Sequence, residues 1–393
     1  MNKPALLYAS PFPPVKSGIS EYSSILVKEL EKDFDITLYT EDYEITDKSL
    51  EQFPVLRHGV DEIRFEDYQY LLYNIGNQPV YHGYIYEAAL QHPGFVIMHD
   101  ASIYYLFVGY HQKKDDLYSS IYCFEGASTL KDIIASRKVD PLGNIYFLHS
   151  MATRYPLFRE LLSSGSKYIV HSQYAKDRLL SSGLVKEGDI LKAGHINIVE
   201  KDSVLIQKKP LLEKFGIPGE SVIVAAFGFI AESKLNRETI HAVRRLAQES
   251  GKPLCYVMVG EGGYVDDELT EGLIIKTGYV SIDEFNSFLE YADIVANLRY
   301  PTRGETSGAM MRALEKGKPC LANHGGWFSE IPDNCVYRIS LDDMEESIYT
   351  GIKTLLTDSQ RRESIVRSAK EYAKKAGSPD LIRKAIAGFI TQP

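Results

Sequence analysis

The chain has 393 residues, 44% of them apolar, with 44 Lys and Arg against 53 Asp and Glu. That length predicts two domains of about 100–200 residues each, and the composition is that of a soluble globular protein rather than a collagenous or disordered one. Residues 1–200 carry 19 basic against 26 acidic side chains and the remainder 25 against 27, so neither half offers the basic surface that nucleic acid requires. No run approaches the roughly 18 apolar residues of a membrane span. Lys3 leads directly into a strand, without the charged-then-apolar pattern of a signal segment. Cys123, Cys255, Cys320 and Cys335 are scattered without C-x-x-C spacing, and Cys255 and Cys320 sit inside apolar runs, as buried thiols do. A reducing cytoplasm is the expected location.

In chain order, Ala5 to Ala9 reads as a strand, Ser10 to Gly18 as a proline-stiffened loop, and Ile19, Tyr22, Leu26 and Leu30 mark a helix by their spacing. Further strands are predicted at Ile36–Tyr39, Tyr70–Ile75, Phe95–Met98 and Lys167–His171, the last two followed by polar tips at His99-Asp100 and His171-Ser172. Nineteen of the 27 tyrosines lie in residues 1–200. Tyrosine packs on sugar rings, so a carbohydrate groove is one reading and half-buried packing the other.

Lys201 to Pro210 reads as a linker. The pattern then restarts with a strand at Val222–Phe227, the stretch Gly228-Phe-Ile-Ala-Glu-Ser-Lys234, and a helix from about Asn236 to Glu249. A strand at Leu254–Val259 ends in Gly260-Glu-Gly-Gly263. Ser281-Ile-Asp-Glu284 is a capping box for a helix holding Phe285, Phe288 and Leu289. Ile294–Leu298, Cys320–Ala322 and Val336–Ile339 supply more strands. Between the first two of these lies Arg299-Tyr-Pro-Thr-Arg-Gly-Glu-Thr-Ser-Gly308, opening a helix from Gly308 to about Lys316 with Thr306 or Ser307 at the N-cap. Ser378-Pro379-Asp380 starts a last helix that runs to about Ile390. Alternating strands and helices predict two parallel sheets, each covered on both faces, with ligands at the carboxyl ends of the strands in a central cleft.

The polar residues at those strand ends carry the candidate chemistry. Lys234 follows a strand and precedes a helix, as a phosphate-binding lysine should. Glu305, Thr306, Ser307 and Gly308 stand at a helix amino end, where free amides attract anions; Glu305 reads either as a ligand-binding carboxylate or as a helix cap. Gly228 and Gly260-Glu-Gly-Gly263 permit close backbone approach to a ligand. In the first half the candidates are Gly76-Asn77, His82, His99-Asp100 and His149. G-x-G-x-x-G, the P-loop, H-E-x-x-H, D-x-D and a nucleophile elbow are all absent, so a simple dinucleotide site, an NTPase, a metal-dependent mechanism and a serine hydrolase are not indicated.

Taken together these segments resemble glycosyltransferase family 4, the retaining enzymes of GT-B fold. The resemblance rests on residues 11–22, on Gly76-Asn77 and His82, on Val96-Ile-Met-His-Asp100, on Lys234, on Thr277-Gly-Tyr-Val280, and on the stretch from Arg299 to Pro319. It implies two Rossmann-like domains facing a cleft: residues 1–200 binding acceptor, 201–375 binding the nucleotide sugar, and a helix in 376–393 crossing back to the first domain. It implies that Gly18 and Gly228 let the backbone approach donor phosphates, that Lys234 pairs with the diphosphate and that Val280 holds the base through its backbone. Glu305 then binds the sugar hydroxyls with Thr306, Ser307 and Gly308 beside it, and His99 touches the transferred sugar. Asn77, His82 and Asp100 fall on the acceptor side.

The chain departs from the family pattern in three places. The family's paired glutamates sit eight positions apart, but eight beyond Glu305 is Ala313. Aligning on Gly317 and Pro319 instead puts Gly304 and Arg312 at the two Glu positions, with Glu315 one turn further as a substitute for the ribose-binding Glu. A basic residue that usually follows the first donor-domain glycine is Phe229 here, which leaves Arg299 or Arg303 to supply the second diphosphate cation. No carboxylate is placed as a nucleophile, which fits the family's front-face attack with the departing phosphate as base.

The expected activity is transfer of a hexose from a nucleoside diphosphate sugar, UDP-linked first and GDP-mannose second, to a hydroxyl of a glycan or lipid-linked acceptor. Neither metal nor other cofactor is expected. The protein is expected in the cytoplasm or at the inner membrane face, with peripheral membrane contact an open point. The alternatives are a catalytically inactive GT-B subunit that binds a glycan or partner, and an epimerase or phosphorylase of the same fold.

Overall fold

The computed structural model describes residues 3–139, 145–147, 150–197, 204–251 and 253–392. His149 and the first part of the expected linker lie outside them. Fifteen strands appear among these residues: β1 (Ala5–Ala9), β2 (Asp35–Thr40), β3 (Val55–Arg57), β4 (Tyr70–Ile75), β5 (Phe95–Met98), β6 (Arg137–Val139), β7 (Ile145–Phe147), β8 (Lys167–Val170), β9 (Ile190–Lys192), β10 (Val222–Phe227), β11 (Leu254–Val259), β12 (Ile274–Lys276), β13 (Ile294–Ala296), β14 (Cys320–Asn323) and β15 (Tyr337–Ile339). The chain divides into two compact units. The first runs to Ile196 and also contains Arg303–Thr306 and the chain from Ser378; the second comprises Asn197–Thr302 and Ser307–Gly377.

The first unit is built on a seven-stranded sheet of order β3-β2-β1-β4-β5-β8-β9, and the second on a six-stranded sheet of order β12-β11-β10-β13-β14-β15. Every pairing in both sheets is parallel. Parallel strands sit under helices on both faces, so their sequences are continuously apolar rather than alternating. Leu6, Leu7, Tyr8 and Ala9 of β1 are all buried, and so is every residue of β11. β6 and β7 form a separate antiparallel pair.

The last helix, Pro379–Thr391, belongs to the first unit. Proline occupies its first turn, where the missing N–H removes no helix bond. Its buried face, Ile382, Ile386, Phe389 and Ile390, joins the cluster of Leu6, Tyr22, Leu26 and Phe34. Arg383 donates to Asp33 at 2.5 Å.

The expected linker needs correction at its end. Lys208, Lys209 and Pro210 form the first turn of a helix, Lys208–Lys214, that buries Leu211 and Leu212. Proline is tolerated there because first-turn amides have no helical acceptor. The strand expected to reach Leu298 stops at Ala296, although the Asn297 amide still donates to the Leu321 carbonyl at 3.1 Å.

Candidate functional site

In the second unit the candidate residues gather at the carboxyl ends of the strands. Lys234 lies in a short 3₁₀ turn, Glu232–Lys234, and folds back so that its Nζ donates to the Phe227 carbonyl at the end of β10, 2.7 Å away. The same ammonium stands 2.9 Å from where a Cβ on Gly228 would be. A half-buried cation is therefore held at the tip of the central strand by a neutral backbone acceptor.

The glycines after β11 lie against the loop that follows β10. A Cβ on Gly260 would run into the Gly228 carbonyl, and one on Gly262 into that of Ile230. The Ile230 amide donates to the Glu261 carbonyl at 2.6 Å. The two loops are thus closed on each other backbone to backbone, an approach that side chains would block. Asp266 and Asp267 are exposed and pair with Lys276 and Arg237, respectively.

Ser307 is the N-cap of the helix Gly308–Glu315: its Oγ accepts from the Met310 amide at 3.1 Å and also receives the Asn297 side-chain amide at 3.0 Å. The Glu305 carboxylate accepts from the Arg303 amide at 2.9 Å, two residues before it. Met310, Ala313 and Leu314, which share one helical face at i, i+3, i+4 spacing, are fully buried.

The Arg299 guanidinium reaches back to the Leu298 carbonyl at 3.2 Å while its amide donates to Asn323. Arg312 is 6% exposed, with its guanidinium 5.1 Å from the centre of the Phe285 ring. Glu315 is half-buried. Burial raises its carboxyl above the ordinary range, and the Asn197 side chain and the Lys316 and Arg312 charges oppose that rise. Val280 packs half-buried in the loop before the helix Ile282–Tyr291, whose Ser281–Glu284 capping box forms as expected. Phe229 is 69% exposed.

The first unit presents a different chemistry. Ser17 caps the helix Gly18–Leu30, leaving Gly18 exposed at its mouth. Asn77 accepts from the amides of Tyr105 and Leu106 at 2.8 and 3.2 Å, so its side-chain oxygen caps the helix Tyr104–Lys113. His82 is 1% exposed; its Nδ1 lies 3.1 Å from the Asn74 carbonyl, and burial pushes its pKa down to about 4. Asp100 is half-buried beside His99.

His99 is half-buried at the end of β5. Its Nε2 is 3.3 Å from Asn74 Oδ1, and its ring meets Tyr22 edge-on at 4.8 Å and His171 at 5.1 Å. His195 completes the group, 5.2 Å from Tyr22 and 5.3 Å from His171. Burial, then the neighbouring His171, His195 and His82, hold His99 well below the usual imidazole range, and burial lowers His171 to about 4. At neutral pH His82, His99 and His171 are thus uncharged imidazoles.

Arg303–Thr306 group with this first unit. The Arg303 guanidinium lies 5.2 Å from the Tyr105 ring centre. Gly304 has φ +87° and stands where a Cβ would be 2.6 Å from both Ala101 and Tyr174. No larger residue fits that position, so the glutamate that the family alignment places there is sterically excluded.

Sequence reasoning passed over Asn74, Tyr22 and His195. For Asn74 the signal was present: it is the single polar residue in the buried run of β4. Tyr22 was read as a helix-face residue at the end of the 11–22 stretch, without a part in the site, and His195 follows a strand too short to recognise. Among the described residues no group of three or more His, Cys, Asp or Glu is placed to hold a metal ion.

No family model matches the chain, and no curated protein matches it in sequence. Solved structures do. The glycosyltransferase WaaG, involved in lipopolysaccharide biosynthesis, superposes with a TM-score of 0.62 at 14% identity over 99% of this chain and all of WaaG. The chain has the GT-B fold. Anabaena HepE in complex with UDP-glucose aligns at TM-score 0.59 and 15% identity over 99% of both chains. A UDP-N-acetylglucosamine 2-epimerase aligns at 0.57 and 15% over 98% of this chain and 95% of its own. The GT-B architecture thus accommodates transferases and epimerases alike. No helix among the described residues is long and apolar enough to cross a membrane.

Proposed function

We propose that this protein is a retaining glycosyltransferase that moves a hexose from a nucleoside diphosphate sugar to a hydroxyl of a glycan or lipid-linked acceptor, without a metal. The observation that carries this reading is Lys234, a half-buried ammonium held over Gly228 at the tip of the central strand of the second unit. A diphosphate is the ligand that such a cation and a helix amino end such as that at Gly308 suit. Charge grows on the departing diphosphate as the glycosidic bond breaks, and preorganised positive groups stabilise it.

The other roles follow the same logic. Arg299 stands in this unit as the second cation, Val280 holds the base through its backbone, and Arg312 or Glu315 meets the ribose. Gly18 admits donor phosphates at the exposed mouth of its helix, Glu305 accepts hydrogen bonds from the sugar hydroxyls with Thr306 beside it, and His99 faces the transferred sugar. Arg303 retains an electrostatic role in the site. His82 and Asn77 act on the acceptor side by shaping backbone and helix ends, with Asp100 the carboxylate there. UDP-sugar is the favoured donor and GDP-mannose the second.

Calorimetry with UDP and GDP on the full chain, followed by UDP-glucose turnover in excess EDTA, tests this. Binding of one nucleotide and chelator-resistant release are expected. A protein that binds neither nucleotide overturns the reading, and turnover that collapses with chelator and returns with manganese overturns the metal-free mechanism. One observation favours a second reading, an inactive subunit that binds a glycan or partner: Phe229, 69% exposed, stands where the family carries a cation. Nucleotide binding without any donor turnover would establish it.

A further inference from the structure

We propose that Asn74 is a positioning residue that locks the His99 imidazole as the tautomer carrying its proton on Nε2, leaving Nδ1 as a bare acceptor for a hydroxyl hydrogen of the bound sugar. The sugar contact rests on the function proposed above; the tautomer does not.

Asn74 is fully buried near the end of β4, between Tyr73 and Ile75. The two ends of its amide face different partners. On one side is the Ala9 carbonyl of β1, 3.4 Å away. A carbonyl only accepts, so the amide atom that faces it is Nδ2, the donor. Oδ1 then faces His99 Nε2 at 3.3 Å. Oδ1 also only accepts, so Nε2 carries a hydrogen. The orientation follows from partner chemistry and not from which atom is drawn as nitrogen.

An imidazole with a hydrogen on Nε2 is either the cation or one of the two neutral tautomers. The groups that act on the ring are Tyr22 from the helix Gly18–Leu30, His171 after β8, His195 after β9 and His82 from the helix Pro79–Gln91. None of these supplies a negative charge, and the Asp100 carboxylate, next in the chain, is not among the groups that shift the ring. Burial and three neighbouring imidazoles all disfavour the cation. The ring is therefore neutral and Nδ1 is unprotonated. Among the described residues the hydrogen bond of the ring is the one to Asn74. The Asn74 carbonyl also faces His82 Nδ1, so one strand residue orders two imidazoles.

The test reads the tautomer directly, on the full chain with ¹⁵N-labelled histidine. Long-range proton–nitrogen correlation near neutral pH should show His99, assigned by its loss in His99→Asn, with a protonated-type Nε2 and a bare-type Nδ1. A ring protonated on Nδ1, or a cation, overturns the proposal without any variant. Asn74→Leu removes both amide ends; it should give mixed tautomers and lower kcat roughly tenfold to 10²-fold with KM for UDP-glucose unchanged. An unaltered His99 spectrum in Asn74→Leu would also sink it. Asn74→Asp keeps the acceptor in place and covers the case in which the leucine variant does not fold. It should restore the Nε2-protonated ring while its charge moves the acid limb of the kcat pH profile upward, and an unmoved limb counts against the contact. A correct wild-type spectrum with no sugar-nucleotide turnover would overturn the transferase reading and leave the tautomer lock standing.

Discussion

The two sheets share one architecture and differ in what their strand ends present. In the first unit the ends of β4, β5 and β8 carry the neutral side chains Asn74, His99 and His171, with Tyr22 and His82 from neighbouring helices beside them. In the second, β10 and β11 end in backbone and a cation, Gly228 and Gly260 closed on each other with Lys234 over them. Uncharged imidazoles and tyrosines suit hydroxyl-rich, uncharged ligands, whereas an ammonium and a helix amino end suit phosphate. A single topology thus carries two different sets of strand-end groups, and it is such groups, not the sheet, that decide what a fold can bind.

That contrast can be broken at four points. The largest effect is expected at Glu305, which groups with the first unit. Glu305→Gln keeps an acceptor for the Arg303 amide and removes the charge, so turnover should fall about 10²-fold or more while UDP affinity holds. Unchanged turnover below the melting point would remove Glu305 from the site. Lys234→Ala addresses the second unit alone. Loss of one charge-assisted contact should weaken nucleoside diphosphate binding by about 1.5–3 kcal/mol, and equal UDP and GDP affinities in wild type and variant would place the phosphate elsewhere.

The third point is structural and confined to the first unit. His111 is 3% exposed and bonded at 2.7 Å to both Asp116 and Glu160. Burial lowers its pKa, but hydrogen bonds and charge from the two carboxylates outweigh that and the net pKa is raised. A raised folded pKa means that the charged form stabilises the fold. The contribution is complete below the unfolded value of about 6.5 and is lost as pH rises through the folded one. His111→Gln should therefore cost roughly 2 kcal/mol in acid, with the gap to wild type narrowing as pH rises. Urea melts at several pH values check it, and a gap that widens with pH contradicts it. The smallest effect belongs to Ser307→Ala, which removes the cap at Met310 in the second unit and should cost about 1 kcal/mol in melting experiments without touching the first.

Much of the fold was legible because the long strands bury both faces. β1, β4, β5, β10 and β11 read as apolar runs, and capping residues such as Ser281 and Ser378 marked helix starts that the structure retains. β3, β9 and β12 were not legible. Each is three residues long, and β3, β9 and β12 lie at sheet edges, where pairing with a neighbour rather than local periodicity makes the strand. The tyrosine excess resolves in part into packing: Tyr8, Tyr22, Tyr73, Tyr86, Tyr104 and Tyr168 are fully buried.

The sequence by itself determined the alternation of elements, the two parallel sheets and the identity of the groups at strand ends, because apolar runs, caps and breakers act over a few residues. Tertiary structure alone decided what those groups face. It gave the cap to Ser307 and the Arg303 amide to Glu305, turned the glycines after β11 toward the β10 loop, and excluded any side chain at Gly304 by bringing Ala101 and Tyr174 against it. It also brought Asn74, Tyr22 and three histidines together from β4, β5, β8, β9 and the first helix. Their separation along the chain leaves no local pattern to read, and only parallel pairing sets their ends side by side.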